Sequence, residues 1–549
     1  KKMLADFDPN EIEDLDRARE AIGMLLNLVE ELKRENDTLR EDVQQLRDDV
    51  NRLKGEQGKP KIKPGGKTEG SKHSSEKERH QPKKRQRKRK VNRIKIDREK
   101  KLEVDRSQLP EDAEFKGYEP VIIQDLVIKT DNVRFLKEKF YSPSLRKTYL
   151  AELPAGYQGE FGPGIRSLVI TLYYAAEMTE PKIIEFFDNM GILISEGQVS
   201  NLLIKDKDSW HAEKDAVFLA GLKSSSWQHV DDTATRVNGE NQHCHIVCNP
   251  LYTAYFTRPR KDRLTVIEIL SNQFETRFIL NEQTAKWLQI LTVPQWAQEA
   301  ISEWFQETAL TYQELKLLMQ TDLGRLNDQQ QARVFEAAAL TAYHSQTTIP
   351  IVPLLISDDA RQFRFITAEQ GLCWVHEGRH YKKLMPVVAY HHHLLDDYLK
   401  QFWDFYHKLL AYRSRPSDEQ AGVLDQEFDT LFSTLTGYDQ LDKRIAKTKA
   451  KKDRLLKVLK YPEIPLHNNP AELGVRRRVR KRDISFGPRT QDGLAAWDTF
   501  MTLVATAKKL GVSFYAYAFD RVAELHALPS LAETIQSLAP AAYPFRSGA

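Results

Sequence analysis

The chain is short of the features that define several protein classes. It has 3 cysteines in 549 residues, too few for a disulfide scaffold. No apolar run approaches the ~18 residues needed to span a membrane, and the acidic stretch from Lys1 to Glu13 does not suit a signal peptide. Net charge is nearly absent too, because 82 basic and 78 acidic side chains leave only +4. These absences predict a soluble, intracellular protein. At roughly 100–200 residues per domain, the length predicts several domains.

The small net charge conceals an uneven distribution. Residues 1–58 hold 10 basic and 16 acidic side chains, residues 59–101 hold 19 and 5, and the remainder hold 53 and 57. The basic segment has almost no apolar residues before Val91, cannot bury enough surface to offset its ordering entropy, and is expected to be a disordered linker. Its run Lys83, Lys84, Arg85, Arg87, Lys88, Arg89 and Lys90 suits salt-dependent, sequence-independent contact with nucleic-acid phosphates. The alternative is a solvated linker that binds nothing.

Before it lies the sharpest periodicity in the chain. Leu25, Leu32, Leu39, Leu46 and Leu53 recur every seventh residue, with Ile22, Val29, Asn36, Val43 and Val50 offset by four. β-Branched residues at a, leucine at d and a lone Asn at a predict a parallel two-stranded coiled coil with a fixed register, ended by Gly55 and Gly58. The expected partner is a second copy of the chain. An amphipathic helix packed on its own domain is the competing reading.

Residues 163–205 carry a helix-turn-helix pattern. Pro163 and Gly164 open an apolar-periodic run, Thr179 caps a second helix that Gly191 stops, and Ser195 with Gln198 forms a capping box for a third. Gln198, Asn201 and Lys205 are the candidates to face DNA, although a plain helical bundle fits the same spacing.

After Lys205 the texture changes, and strand patterns follow. Trp227–Asp232 reads as a strand ending in carboxylates, and Asn238-Gly239 is a hairpin signal before a long extended run from His243 to Thr257. Ile351–Ile356 is another strand followed by acid, Ser357-Asp358-Asp359. Acidic residues at strand ends with helices between predict a mixed α/β sheet holding Mg²⁺ on carboxylate oxygens. Cys244 and Cys248 on one strand would stand ~13 Å apart at ~3.3 Å per residue, too far for one metal. Cys373 and His376 have metal-like spacing but no second pair nearby, so a structural role is expected. His391-His392-His393 is expected at the surface.

Four blocks carry a family resemblance. They are HVDDT-x-x-RVNG (His229–Gly239), the ISD ending at Asp358 with Cys373-Trp374-Val375-His376 after it, HNNPAE (His467–Glu472), and AKKLGVSFYAYAFDRV (Ala507–Val522). With the MTEPKIIEFF stretch before them, they run in order and resemble insertion-sequence transposases of the IS66 type, a DDE family with an RNase H-like core. The resemblance implies Asp231, Asp358 and Glu472 as a catalytic triad holding two Mg²⁺ ions, with Mn²⁺ as a substitute. It favours the first acid of each Asp-Asp pair, the second facing away. It also implies metal-dependent cleavage of double-stranded DNA at transposon inverted repeats and strand transfer into target DNA, in the bacterial cytoplasm, with accessory transposon proteins as further partners. Departures are His467 in place of the family's acid and Leu473 in place of an Arg after Glu472. Arg476 at i+4 offers Glu472 an ordinary ion pair instead.

Arg476, Arg477, Arg478, Arg480, Lys481 and Arg482, just after Glu472, are expected to contact DNA phosphates. The expected architecture is multidomain α/β, with a zipper segment at 1–58, the basic linker at 59–101, a connecting region at 102–160, and a helix-turn-helix domain at 161–222. An RNase H-like core follows at 223–525, with helical insertions at about 275–345 and 388–460, then a tail at 526–549. Two competing functions remain, a non-catalytic domesticated DNA-binding regulator and an RNase H-like nuclease without strand transfer.

Overall fold

The structure, a computed structural model, describes residues 14–53 and 94–542, except 106, 108, 111–112, 127, 158, 273–275 and 348. The basic run at 83–90 lies outside the described residues. In their described parts, Lys1–Thr68, Leu153–Phe186 and Ile194–Ala549 form one compact unit, and Glu69–Glu152 with Phe187–Leu193 form another. Among the described residues, no helix is long and apolar enough to cross a membrane.

The larger unit begins with α1 (Leu15–Leu53), a single helix of 39 residues. Its heptad seam faces outward, with Leu25 43%, Leu39 63% and Leu46 63% exposed. The opposite, polar face is docked. Asn27 donates to the Gly437 carbonyl at 2.9 Å, and Arg34 donates to the Leu384 carbonyl and the Tyr438 hydroxyl. In the smaller unit β1 (Lys139–Ser142) and β2 (Lys147–Leu150) form an antiparallel hairpin.

The three helices expected between 163 and 205 form: α2 (Pro163–Ile170), continued by one π-helical turn, α3 (Glu180–Asp188) and α4 (Glu196–Ile204); α5 (Asp208–Lys223), which follows them, was not expected. Pro163 occupies the first turn of α2, where its missing N–H costs nothing. The Ser195/Gln198 capping box is reciprocal.

Next comes the antiparallel series β3 (Trp227–Val237), β4 (Glu240–Cys248) and β5 (Thr253–Arg258). Two expectations need correction here. Asp231 and Asp232 sit inside β3, which continues to Val237 because Thr233–Val237 keeps pairing with β4. The extended run from His243 to Thr257 is two strands. Asn249 breaks it, its side chain accepting from Leu251 N at 2.9 Å and donating to the Gly221 carbonyl and the Ser224 hydroxyl, so Asn249-Pro250 makes a turn. Asn238 and Gly239 both take positive φ, as a tight hairpin requires.

After α6 (Arg263–Ser271) the first insertion contains β6 (Phe278–Leu280), α7 (Glu282–Ile290), α8 (Gln295–Ser302), β7 (Gln306–Leu310), α9 (Tyr312–Asp322) and α10 (Asp328–Ser345). Its helices were expected; the β6–β7 pair was not. The chain then adds β8 (Leu354–Ser357) and β9 (Glu369–Leu372), parallel to β3, and the central sheet has the order β5-β4-β3-β8-β9. The protein is therefore mixed α/β around a mixed sheet.

After α11 (Trp374–Lys382) the second insertion forms α12 (Ala389–Ser414), α13 (Asp418–Leu431), α14 (Asp439–Lys449), α15 (Lys452–Leu455) and α16 (Lys457–Lys460). Its interior is aromatic: Trp374, Phe402, Phe405, Phe428 and Phe432 pack ring against ring. His391 does not follow its surface expectation. It is buried, stacked on Tyr438 at 4.2 Å and 3.4 Å from Glu30 of α1, while His392 and His393 are exposed. Then come α17 (Asn469–Ser485), α18 (Gln491–Leu510), α19 (Phe514–Val522) and α20 (Leu531–Ala542). The last forms within the expected tail because Leu531 and Ile535 are fully buried.

Candidate active site

The central sheet brings two of the three nominated acids together. β3 pairs with β8 from Trp227↔Leu354 to His229↔Ile356, and the same register carried two residues further sets Asp231 level with Asp358. Burial, then the negative charge of Asp358, pushes the Asp231 carboxyl up to about 7, against the Asp232 N–H that donates to it at 2.9 Å. Asp358 is also raised, first by burial, with the charges of Asp232 and Asp359 adding to it; the Ala360 N–H and nearby His376 oppose the rise.

The second acid of each pair is partnered differently. Asp359 accepts from Arg364 and Arg454, both at 2.7 Å, and from Lys451 at 3.0 Å. Asp232 accepts from Gln362 at 2.6 Å and stands 4.0 Å from Lys261. Asp231 and Asp358 have no ion pair among the described residues.

Glu472 lies in the first turn of α17, which Pro470 helps to start. Gly474 lets this helix lie against the sheet: a Cβ there would meet Ile246 Cγ2 of β4 at 2.9 Å. Its charge is felt at Asp231, but its carboxylate is held by Arg379 of α11 in a two-pronged pair, Nη1–Oε1 3.0 Å and Nη2–Oε2 2.8 Å. Arg476, the alternative partner at i+4, does not take it. Among the described residues, no three His, Cys, Asp or Glu side chains stand together as a group able to hold a metal ion. The donor set of hard oxygens nonetheless fits a divalent cation. Two half-buried carboxylates stand side by side, with the charge of Asp358 helping to raise Asp231, and the third is engaged by a guanidinium.

The motif residues around the acids have structural work. Asn468 donates to the Val230 carbonyl at 2.8 Å, and its amide oxygen lies 2.9 Å from His229 Nδ1. The HNN segment thereby fastens α17 to β3 beside Asp231. Burial drives His229 down to about 3, so it stays neutral. Cys373 caps α11, its sulfur accepting from His376 N at 3.4 Å and from Asn468 N at 3.2 Å. All three cysteines are free and buried.

The Transposase IS66 family matches residues 354–496, which include Asp358 and Glu472 but not Asp231. The "Uncharacterized protein y4jO" of Sinorhizobium fredii (strain NBRC 101917 / NGR234) is 32% identical over 304 residues, covering 55% of this chain and 94% of that protein. The chain belongs to the IS66 transposase family. No solved structure matches it.

The basic cluster of this IS66 family member divides along α17. Arg478 and Lys481 are each 1% exposed and cannot reach a ligand outside the fold. Arg478 donates to Thr257 at 3.0 Å, pairs with Asp498 at 3.4 Å and lies over Trp497. Lys481 donates to the Tyr173 carbonyl at 2.7 Å and sits over the Tyr173 ring; burial lowers it to about 7. Arg477 is half-buried, donating to the Tyr174 carbonyl, and Arg482 bonds the Ala234 carbonyl and Asp483. Arg476 and Arg480 are exposed. In the candidate helix-turn-helix, Asn201 and Lys205 are exposed, whereas Gln198 caps its own helix and also donates to Glu160. Tyr174 and Trp210, on either side of α4, pack on Phe500 of α18, so these flanking helices sit directly on the core. Sequence reasoning missed Arg379, His380 and the basic side chains of α14 and α15 around Asp358. Arg379 stands in the same block as Cys373 and His376, one helical turn from His376, and that spacing could have pointed to it.

Proposed function

We propose that this chain is a DNA transposase that cuts transposon ends and joins them to target DNA at Asp231, Asp358 and Glu472. One observation carries the reading. Asp231 and Asp358 are neighbouring, half-buried carboxylates with no ion pair among the described residues, although Asp232 and Asp359 beside them are well partnered. An uncompensated buried charge is expensive, and a divalent cation bound as part of function offsets it. The sheet order, with three antiparallel strands followed by two parallel ones, supports an RNase H-like core. Magnesium held by these acids would activate the attacking oxygen, first of water and then of a DNA 3′-hydroxyl, and stabilise the leaving oxygen.

The chain's own residues have distinct tasks in this scheme. His229 and Asn468 fix α17 against β3, Gly474 allows its close approach, and Arg379 governs where Glu472 points. Asn201, Lys205, Arg476 and Arg480, exposed on the surface, would meet DNA phosphates, and the basic run at 83–90 would add sequence-independent affinity. The exposed a/d seam of α1 is free to pair with a second copy.

The test is a strand-transfer assay with Mg²⁺, using DNA that carries the ends of the element flanking the coding sequence and Glu472→Gln as control. Joined product from the parent and none from the variant is expected. Cleavage without joining would make the protein a nuclease, and binding without cleavage would make it a regulator.

A further inference from the structure

The second helical insertion builds a cationic wall beside the candidate active site. A cleft of about 670 Å³ has Asp358 and His376 on its lining and, from α14, α15 and the turn between them, Arg444, Lys447, Lys451 and Arg454. Two acids at its base hold these cations in place. Asp359 accepts from Arg364, Lys451 and Arg454. Glu377, 3% exposed, accepts from Arg444, from Lys451 at 3.0 Å and from Thr448 at 2.6 Å. Arg444 also lies over the Tyr381 ring.

Arg364, Arg444, Lys447, Lys451 and Arg454 thus outnumber the three carboxylates in and beside the cleft, Asp358, Asp359 and Glu377, and the last two orient four of the five cations without neutralising the set. Lys447 is exposed and has no ion pair among the described residues. A surplus of oriented positive charge in an open cleft is a site for a polyanion. Because Asp358 lines the same cleft, the anion that fills it is adjacent to the reacting group.

We propose that this cleft binds phosphates of the DNA strand immediately flanking the bond to be cut, with Lys447 as a direct phosphate contact. The assignment rests on the transposase reading. It gives the second insertion a task, positioning the strand across Asp358, that the candidate DNA-binding residues on α4, α17 and the basic run do not perform.

The experiment uses the full chain and a fluorescein-labelled random-sequence duplex, with binding followed by anisotropy across a salt series. Lys447→Glu is expected to weaken binding roughly three- to tenfold and to lower the slope of log K against log salt by about 1. Lys447→Arg should restore both. Lys316→Glu, an exposed charge on α9 outside the cleft, should leave both unchanged. Equal losses in Lys447→Glu and Lys316→Glu, or no loss in either, overturn the assignment. If the parent binds and cleaves DNA while Lys447→Glu does so equally well, the cleft assignment fails and the transposase reading stands. If the parent does not bind the duplex, both fail.

Discussion

Asp231→Asn should stabilise the metal-free protein while removing its activity, and the gain should depend on pH in a calculable way. In the unfolded chain Asp231 ionises near its ordinary value of 3.8, but in the fold it does so at about 7. Between those values the unfolded state carries fewer protons, so stability falls as pH rises and levels off above pH 7. A displacement of that size corresponds to about 4 kcal/mol at most. Asparagine has no such titration. The advantage of the variant should therefore grow by about 2 kcal/mol between about pH 5.5 and pH 7, then stay flat. Urea unfolding with a chelator at several pH values measures it. Excess Mg²⁺ should then raise the melting temperature of the parent and not of the variant, because binding to the native state alone stabilises it. An advantage that does not change with pH would refute the argument that Asp231 and Asp358 are crowded carboxylates. Equal protection of both proteins by Mg²⁺ would refute their role as its ligands.

Three further outcomes follow from individual contacts. Arg379→Gln frees the Glu472 carboxylate from its two-pronged pair and should tighten Mn²⁺ binding, read by titration calorimetry; unchanged affinity would show that Arg379 does not compete for it. Arg478→Ala should cost about 3–5 kcal/mol by leaving Asp498 buried without its cation, whereas exposed Arg480→Ala should stay within about 0.5 kcal/mol; equal effects in urea unfolding would contradict the division of the basic cluster. Gly474→Ala drives a methyl against the Ile246 γ carbons and should destabilise by about 1–3 kcal/mol in urea unfolding, with partial recovery in the double variant carrying Ile246→Ala, which removes them.

Much of this site was legible because its signals are local. Asn238-Gly239, the Ser195/Gln198 capping box and the short strand before Asp358 all specify backbone geometry within a few residues. The family blocks pointed to positions that the fold links, His229 to Asn468 and Cys373 to the backbone of Asn468. What failed had longer range. RRRVRKR reads as one basic cluster, yet Ala471, Gly474, Arg478 and Lys481 share a buried helical face and only tertiary partners such as Asp498 decide which cations remain outside. Arg379 and Lys447 look like ordinary surface charges until α11 and α14 place them beside Glu472 and Asp358.

The first helix shows why a clear periodicity can be half a reading. The heptad pattern assigns α1 one working face and treats its charged flanks as solvated. Asn27, Glu30 and Arg34 lie on those flanks, opposite the a/d seam, and Glu30 is only 2% exposed. Its carboxylate accepts from the N–H groups of Val387 and Val388 at the start of α12, where the helix dipole favours an anion. Docking through the outer face leaves the leucine seam uncovered. A zipper formed by two such helices would therefore be fastened to the same helical insertion that builds the cationic cleft, rather than hang from the body on a linker. In that arrangement pairing of two chains and placement of DNA at Asp358 would be mechanically joined. Glu30→Ala should loosen this link, and thereby strand joining, without weakening self-association, whereas Leu32→Lys should abolish self-association outright.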